Sequence, residues 1–312
     1  MPTFLDRYLA GQCAAVWRDL AALGEDVRHK RYQADAAAVA AETMRRARQN
    51  VETLIGRLDA MSYRFMNMEQ HDACTKEAMK RHFGFIEELS QKMDPADKRR
   101  FDRLRIMRLP EYRELLAERA ERSRQAAIQY LDAALGRATT PLKDPEVFVP
   151  PNKQTTKDLN RLETMAGGPL PMSLRAWYEQ VGGVSLLGWH SALSPNPDEP
   201  HAGVCPDPLM IDPLKQVCQQ FQEEEFEGSA AYVSLAPDDV TKAGSGGCGP
   251  YGMRVPNACA DGVFSVVGFH KGPTFVNYLR SAFKWGGFPG WEGKRGCPQK
   301  IISQLAEGLF PV

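Results

Sequence analysis

Proline and glycine divide this chain in two. Three of its 22 prolines precede Pro141, and five of its 26 glycines precede Gly167. Proline removes a backbone donor and glycine loosens the backbone, so neither suits a helix interior. A first part almost free of both can form long helices. A second part rich in both must turn often and alternate short strands with short helices. Between them, residues 138–152 (ATTPLKDPEVFVPPN) carry four prolines and no hydrophobic period. This stretch reads as an interdomain linker, giving a helical domain over 1–137 and a mixed domain over 153–312.

The first part carries helical periodicity throughout. Leu5, Tyr8, Leu9, Val16, Trp17, Leu20 and Leu23 predict one apolar stripe, with a break at Gly24. Val39, Met44, Ala47, Val51, Leu54, Ile55 and Leu58 predict a second helix that runs on from the alanine-rich DAAAVAAE. Arg45, Arg46, Arg48 and Arg57 interrupt its apolar positions and are expected to face water. Further helices are predicted over 69–92, after the capping pair Asp94-Pro95, and over 111–135, where Gly136 is placed to end the last one.

Charge excludes little. The chain has 39 basic and 39 acidic residues and no formal net charge, so nothing in the total points to a polyanion partner. Neither nucleic acid nor a membrane is expected as a partner. MPTFLDRYLAGQ lacks the basic region and apolar core of a secretory signal, and no run approaches the ~20 apolar residues of a membrane span. Seven cysteines, an odd number scattered along the chain, suit reduced thiols in a cytoplasmic protein better than a disulfide framework.

In the second part, strands are predicted at 184–189, 208–211, 231–235, 251–255 and 262–269. Helices are predicted at 155–166, 171–181, 213–225, 273–284 and 298–308. The most heavily punctuated of these lies in GPLPMSLRAWYEQVGGVSL, residues 168–186. Pro171 suits a helix start, and Leu170 before it should be extended. Leu174, Trp177, Tyr178 and Val181 form one apolar face. Gly182 permits the left-handed turn that ends a helix, and Gly183 releases the chain into a strand.

This stretch resembles the signature of the SUKH superfamily (the Smi/Knr-type domain): a leucine-proline leading a helix, an aromatic within it, then a glycine turn. The preceding TTKDLNRLETMAGG resembles the family's opening helix. DPLMIDPLKQV, the strand-rich middle and the FVNYLRSAF helix follow its order, over about residues 148–310. Val181 stands where many members carry asparagine, and the glycine loop at 244–252 is more elaborate. The resemblance implies a mixed α/β domain that binds proteins, so the expected fold class is α+β, an N-terminal helical bundle followed by a SUKH-like domain. It further implies either immunity, by occlusion of a polymorphic toxin, or regulatory scaffolding. It brings no catalytic residues.

KAGSGGCGPYG (242–252) matches neither a phosphate loop nor a dinucleotide fingerprint, leaving a surface loop or a partner-binding loop with Ser245 and Tyr251 as its contacts. His190, His201 and Cys205 form the tightest ligand cluster, but zinc spacing is missing, and no metal or cofactor is expected. Cys248 with His270 would make a thiol nucleophile only if folding brought them together. Asp207 and Asp212 precede prolines and suit turn and capping roles better than acid–base pairing. KWGGFPGWEG places Trp285, Phe288 and Trp291 on a Gly/Pro-rich turn, as interface anchors or as a lid folded on the core. Trp189 and His190 end the first strand near where a partner would bind. The run QEEEFE, with Glu223, Glu224 and Glu225, opposes the dipole of the helix it ends and would complement a basic partner. The expected function is therefore protein binding of the immunity type. The alternatives are an enzyme with its pocket under residues 242–252, or a scaffold dimerising through the helical half.

Overall fold

The computed structural model describes residues 2–74, 146–193, 207–223, 231–242, 247–268, 271–294 and 296–312, with isolated positions between 77 and 129. The helix expected over 69–92 is helical over its described start, residues 69–74; the rest of it, the other helices expected up to 135 and the linker residues 138–145 lie outside the described residues or touch them only at those isolated positions.

Helix α1 (Phe4–Leu9) starts at a reciprocal cap. The Thr3 hydroxyl accepts the Asp6 N–H at 3.1 Å, and the Asp6 carboxylate accepts the Thr3 N–H at 3.0 Å. The single first helix expected here is broken. Gly11 takes φ 90°, and the chain restarts as α2 (Cys13–Ala22), leaving Leu9 56% exposed instead of in the buried row. Helix α3 (Gln33–Ala60) is the expected long helix. Val39, Met44, Ala47, Val51, Leu54 and Leu58 are buried along one side.

After α3 the chain forms β1 (Arg64–Phe65), and the second part begins at β2 (Phe148–Val149). Then come α4 (Thr155–Met165), α5 (Met172–Gln180), β3 (Gly183–Ser185), β4 (Gly188–Trp189), β5 (Met210–Ile211) and α6 (Leu214–Glu223). Strand β6 (Ala231–Ala236), α7 (Asp239–Lys242), β7 (Tyr251–Val255), β8 (Ser265–Val266), α8 (Phe275–Lys284) and α9 (Gln299–Ala306) complete the order. The expected 184–189 strand is split in two, with Leu186 and Leu187 between the halves.

The strands make three small antiparallel sheets, in the orders β1-β4, β2-β3-β5 and β6-β7-β8. The fold is therefore mixed α+β with a helical N-terminal region. Two of these pairings cross the expected domain boundary. Strand β1, from the helical part, pairs with β4, matching Arg64 to Trp189. Phe148 and Val149, expected in the linker, pair with Val184 and Gly183.

Residues 2–65 consequently do not form a separate domain. One continuous core runs from Tyr8, Trp17 and Leu54 through Trp177 and Ile211 to Phe283 and Leu305. The arginines expected in water explain part of this joining. Only Arg45 is exposed. Arg48 donates to the Gln180 carbonyl at 3.3 Å, Arg57 to the Leu305 carbonyl at 2.7 Å, and Arg46 to the Pro311 carbonyl at 3.1 Å while lying 4.7 Å over the Tyr8 ring. Asn50, fully buried, exchanges two hydrogen bonds with the Phe310 backbone, at 2.9 and 2.7 Å. Long polar side chains on α3 cap carbonyls of the second part and cover apolar surface with their stems.

The α5–Gly-Gly–β3 unit forms as its residues dictate. The Trp177 carbonyl accepts the Val181 and Gly182 N–H groups, and the Trp177 indole N–H donates to the Gly182 carbonyl at 2.6 Å. Gly182 has φ 95°, and a side chain there would overlap the Val149 carbonyl oxygen. The glycine thus ends the helix and lets β2 approach.

Candidate functional site

Strands β7 and β8, residues 271–273 and one face of α8 enclose a cleft of about 850 Å³. On α8, Asn277, Tyr278, Ser281 and Lys284 fall at helical spacing and form its wall. Tyr251 and Phe264 pack with ring centroids 5.4 Å apart, and Phe264 lies 4.5 Å from Tyr278, giving an aromatic floor. Burial pushes the phenols of Tyr251 and Tyr278 above their ordinary range, with the Asp207 charge adding to the effect. Neither is prepared to ionise near neutral pH.

At one end sits an ion pair that the sequence did not disclose. Lys242 is 0% exposed; its ammonium is 2.7 Å from Asp207 Oδ1, donates to the Pro208 carbonyl at 3.2 Å and lies 5.1 Å over the Tyr251 ring. A buried ammonium needs such partners. Asp207, expected in a turn, adopts φ 48°, a left-handed conformation that aspartate tolerates better than most residues. It serves Lys242 rather than pairing with Asp212 as an acid and base.

The glycine loop borders this cleft, and Asp238 organises its described part. Asp238 is 1% exposed. One carboxylate oxygen accepts the Thr241 N–H at 2.6 Å; the other accepts Cys248 N–H at 2.5 Å and Gly249 N–H at 3.2 Å. Burial alone would raise this carboxyl, but those donors outweigh it and hold it below the usual carboxylate range. A side chain at Gly247 would overlap the Asp238 carboxylate, so glycine there lets the loop close on its anchor. Cys248 is exposed and lines the cleft.

Among the described residues, those expected at a partner surface are not brought together. Of the ten, Tyr251 alone lines the cleft among the described residues. Trp189 and His190 are half-buried at β4, where His190 Nδ1 accepts the Ala192 N–H at 3.2 Å. Glu223 is exposed at the end of α6. Glu224, Glu225 and Ser245 lie outside the described residues, as do His201, Cys205 and His270. Trp285 is half-buried under Lys284, whose ammonium is 5.6 Å from the ring centroid. Phe288 and Trp291 are each 1% exposed, which corrects their reading as interface anchors. The glycines of that turn fold both rings into the core, and Phe288 meets Tyr63 of the helical part at 5.9 Å.

Asp212 departs from expectation in another way. Its backbone is bonded, with its N–H donating to the Leu235 carbonyl at 2.7 Å and its carbonyl accepting the Tyr178 hydroxyl at 3.1 Å. Its carboxylate caps nothing among the described residues, although the residue is only 6% exposed. Burial pushes that carboxyl up to about 6, against the pull of Lys242. Among the described residues no group of three or more His, Cys, Asp or Glu side chains is arranged to hold a metal ion. No described helix is long and apolar enough to cross a membrane.

Comparison with known proteins finds no matching family, no matching curated protein and no matching solved structure.

Proposed function

We propose that this chain is a cytoplasmic protein-binding module of the immunity type, with a SUKH-like second part, which neutralises a toxin domain by occluding it. The cleft is the observation that supports this most. Of the cations at or beside it, Lys242 is matched by Asp207 and Lys284 by Glu292 at 3.6 Å, Arg280 donates to the Val312 and Cys13 carbonyls, and Lys271 is exposed at its edge. Between these groups lies an open aromatic and aliphatic surface, suited to receiving a projecting segment of another protein with Tyr251 as an anchor. Glu223, with Glu224 and Glu225 after it, would steer a basic partner through screened, long-range attraction. No cofactor takes part in such a mechanism.

The test uses the full chain. A tagged copy recovered from its native cell should carry one stoichiometric protein partner. That partner expressed alone should arrest growth, and co-expression of the chain should restore it. Tyr251→Asp should abolish both capture and rescue. Recovery of the chain alone, or a partner whose expression is harmless, overturns the proposal.

A second reading has one observation in its favour: Cys248 is exposed at the rim of the cleft, as an enzyme's nucleophile would be. A nucleophilic thiol labels much faster near neutral pH than a simple exposed thiol. Fast labelling of Cys248 together with undiminished partner capture by Glu223→Lys/Glu224→Lys/Glu225→Lys would favour the enzyme.

A further inference from the structure

A second, smaller cavity of about 270 Å³ lies on the sheet β2-β3-β5, away from the aromatic cleft. Register and alternation explain its chemistry. Val184 pairs with Ile211, and both enter the core; Ser185 pairs with Met210 on the opposite side. Two residues beyond Met210, Asp212 falls on the same side as Met210. Met66 and Met210 are buried yet stand apart from the main core cluster. With Met68 and Pro213 they give the cavity soft, adaptable apolar walls. Glu146, an exposed residue, and Gln216 stand at its mouth.

The Asp212 carboxylate is the anomaly. It belongs to a residue 94% buried, and no hydrogen-bond donor among the described residues reaches it. The side chain lines the cavity and its oxygens stay within reach of solvent there, so a donor entering the cavity can pair with them. The head of α6 directly after Pro213 offers a favourable dipole, and Lys242 a favourable field, but neither supplies a bond. A ligand that complements this cavity should carry N–H donors and positive charge, fit a narrow space, and tolerate methionine along its length. A primary ammonium on an aliphatic stem meets all four conditions. It is compact and has three donors, enough for Asp212, the Ser185 hydroxyl and an oxygen at the mouth.

We propose that this cavity receives a lysine side chain of the partner protein, its ammonium bonded to Asp212 and its stem packed on Met66, Met68 and Met210. The identity of the donor rests on the protein-binding reading above, whereas the pocket's preference for an alkylammonium can be measured without any partner.

Nα-acetyl-lysinamide is the probe, titrated into the full chain labelled with ¹³C at the methionine methyls. The resonances of Met66, Met68 and Met210 should shift together and saturate in the millimolar range expected for so small a ligand, about 1–10 mM. Acetylation of the probe's Nε, which removes the charge and keeps the stem, should weaken binding at least about tenfold. Asp212→Asn should weaken the charged probe by a similar factor. The acetylated probe needs no variant, so that comparison stands even if Asp212→Asn folds poorly. The proposal is overturned if those methyls do not move, if both probes bind equally, or if calcium or Nα-acetyl-argininamide binds more tightly than the lysine probe. None of these results would bear on occlusion through the aromatic cleft.

Discussion

Replacing Trp177 by alanine tests the packing on which the second part depends. The indole is 0% exposed, meets Phe275 edge-on at 5.5 Å and 77°, and donates to the Gly182 carbonyl at 2.6 Å. Truncating a buried large aromatic to alanine costs about 3–5 kcal/mol through lost transfer and the cavity left behind. The Gly182 carbonyl also loses its donor at the turn that closes α5, adding about 1–3 kcal/mol. A net loss of about 4–6 kcal/mol follows, since the two effects overlap where water enters the cavity. That is much of the total stability of an ordinary domain, about 5–15 kcal/mol. Trp177→Phe keeps most of the apolar volume and loses only the donor, so it should cost about 1–3 kcal/mol. The assay is urea denaturation of the full chain followed by circular dichroism. A 148–312 fragment would not serve, because α1–α3 share the core. If Trp177→Ala is too unstable to fold, Phe275→Leu reports on the same contact at about 1–2 kcal/mol. A loss below about 1 kcal/mol for Trp177→Ala, or equal losses for alanine and phenylalanine, would refute the packing argument.

Gly182→Ala should destabilise by at least about 2 kcal/mol, because φ 95° and the Val149 carbonyl both exclude a side chain; the same denaturation assay reads it. Cleavage at a protease site engineered between residues 75 and 145 should leave two fragments that co-elute in gel filtration, since residues 2–65 and 148–312 share one core; separation of the fragments would contradict that. Burial raises the folded carboxyl of Asp212 to about 6, above its ordinary value of 3.8, so its ionisation weakens the fold progressively as pH rises between those values. Asp212→Asn should therefore match the native chain near pH 3 and exceed it in melting temperature at pH 7. Glu42 behaves oppositely. Hydrogen bonds from Arg45, helped by Arg46 and opposed by partial burial, hold it at about 2. Its contribution is complete above about 4.5 and lost as pH falls toward 2, and Glu42→Gln should flatten that part of the acid-denaturation profile. Cys248 should alkylate before Cys218, which is buried and whose thiol is pushed up to about 11.

Much of the second part was legible in the sequence because its signals are local. The helices at 155–166, 171–181, 213–225 and 273–284 were found to within a few residues by apolar spacing and by the prolines and glycines at their ends. The left-handed turn at Gly182 followed from residue type alone. Strands β6 and β7 were marked by their apolar runs. What packs on what was not legible. Periodicity says which face of α3 is apolar, but not that α5 covers it, nor that Arg48 and Arg57 find carbonyls of the second part where water was expected. Proline density at 138–152 suggested an interdomain linker, yet two of those residues are held as a strand by Val184 and Gly183, some 35 positions away. Lys242 looked like the hydrophilic start of a loop. It is buried because the fold brings Asp207 and the Tyr251 ring to it. A charge can leave water only where its counter-charge is already fixed, and that placement belongs to the tertiary structure. The same reasoning exposes Asp212, whose side chain any sequence would assign to a turn, as a carboxylate lining a cavity with no donor among the described residues.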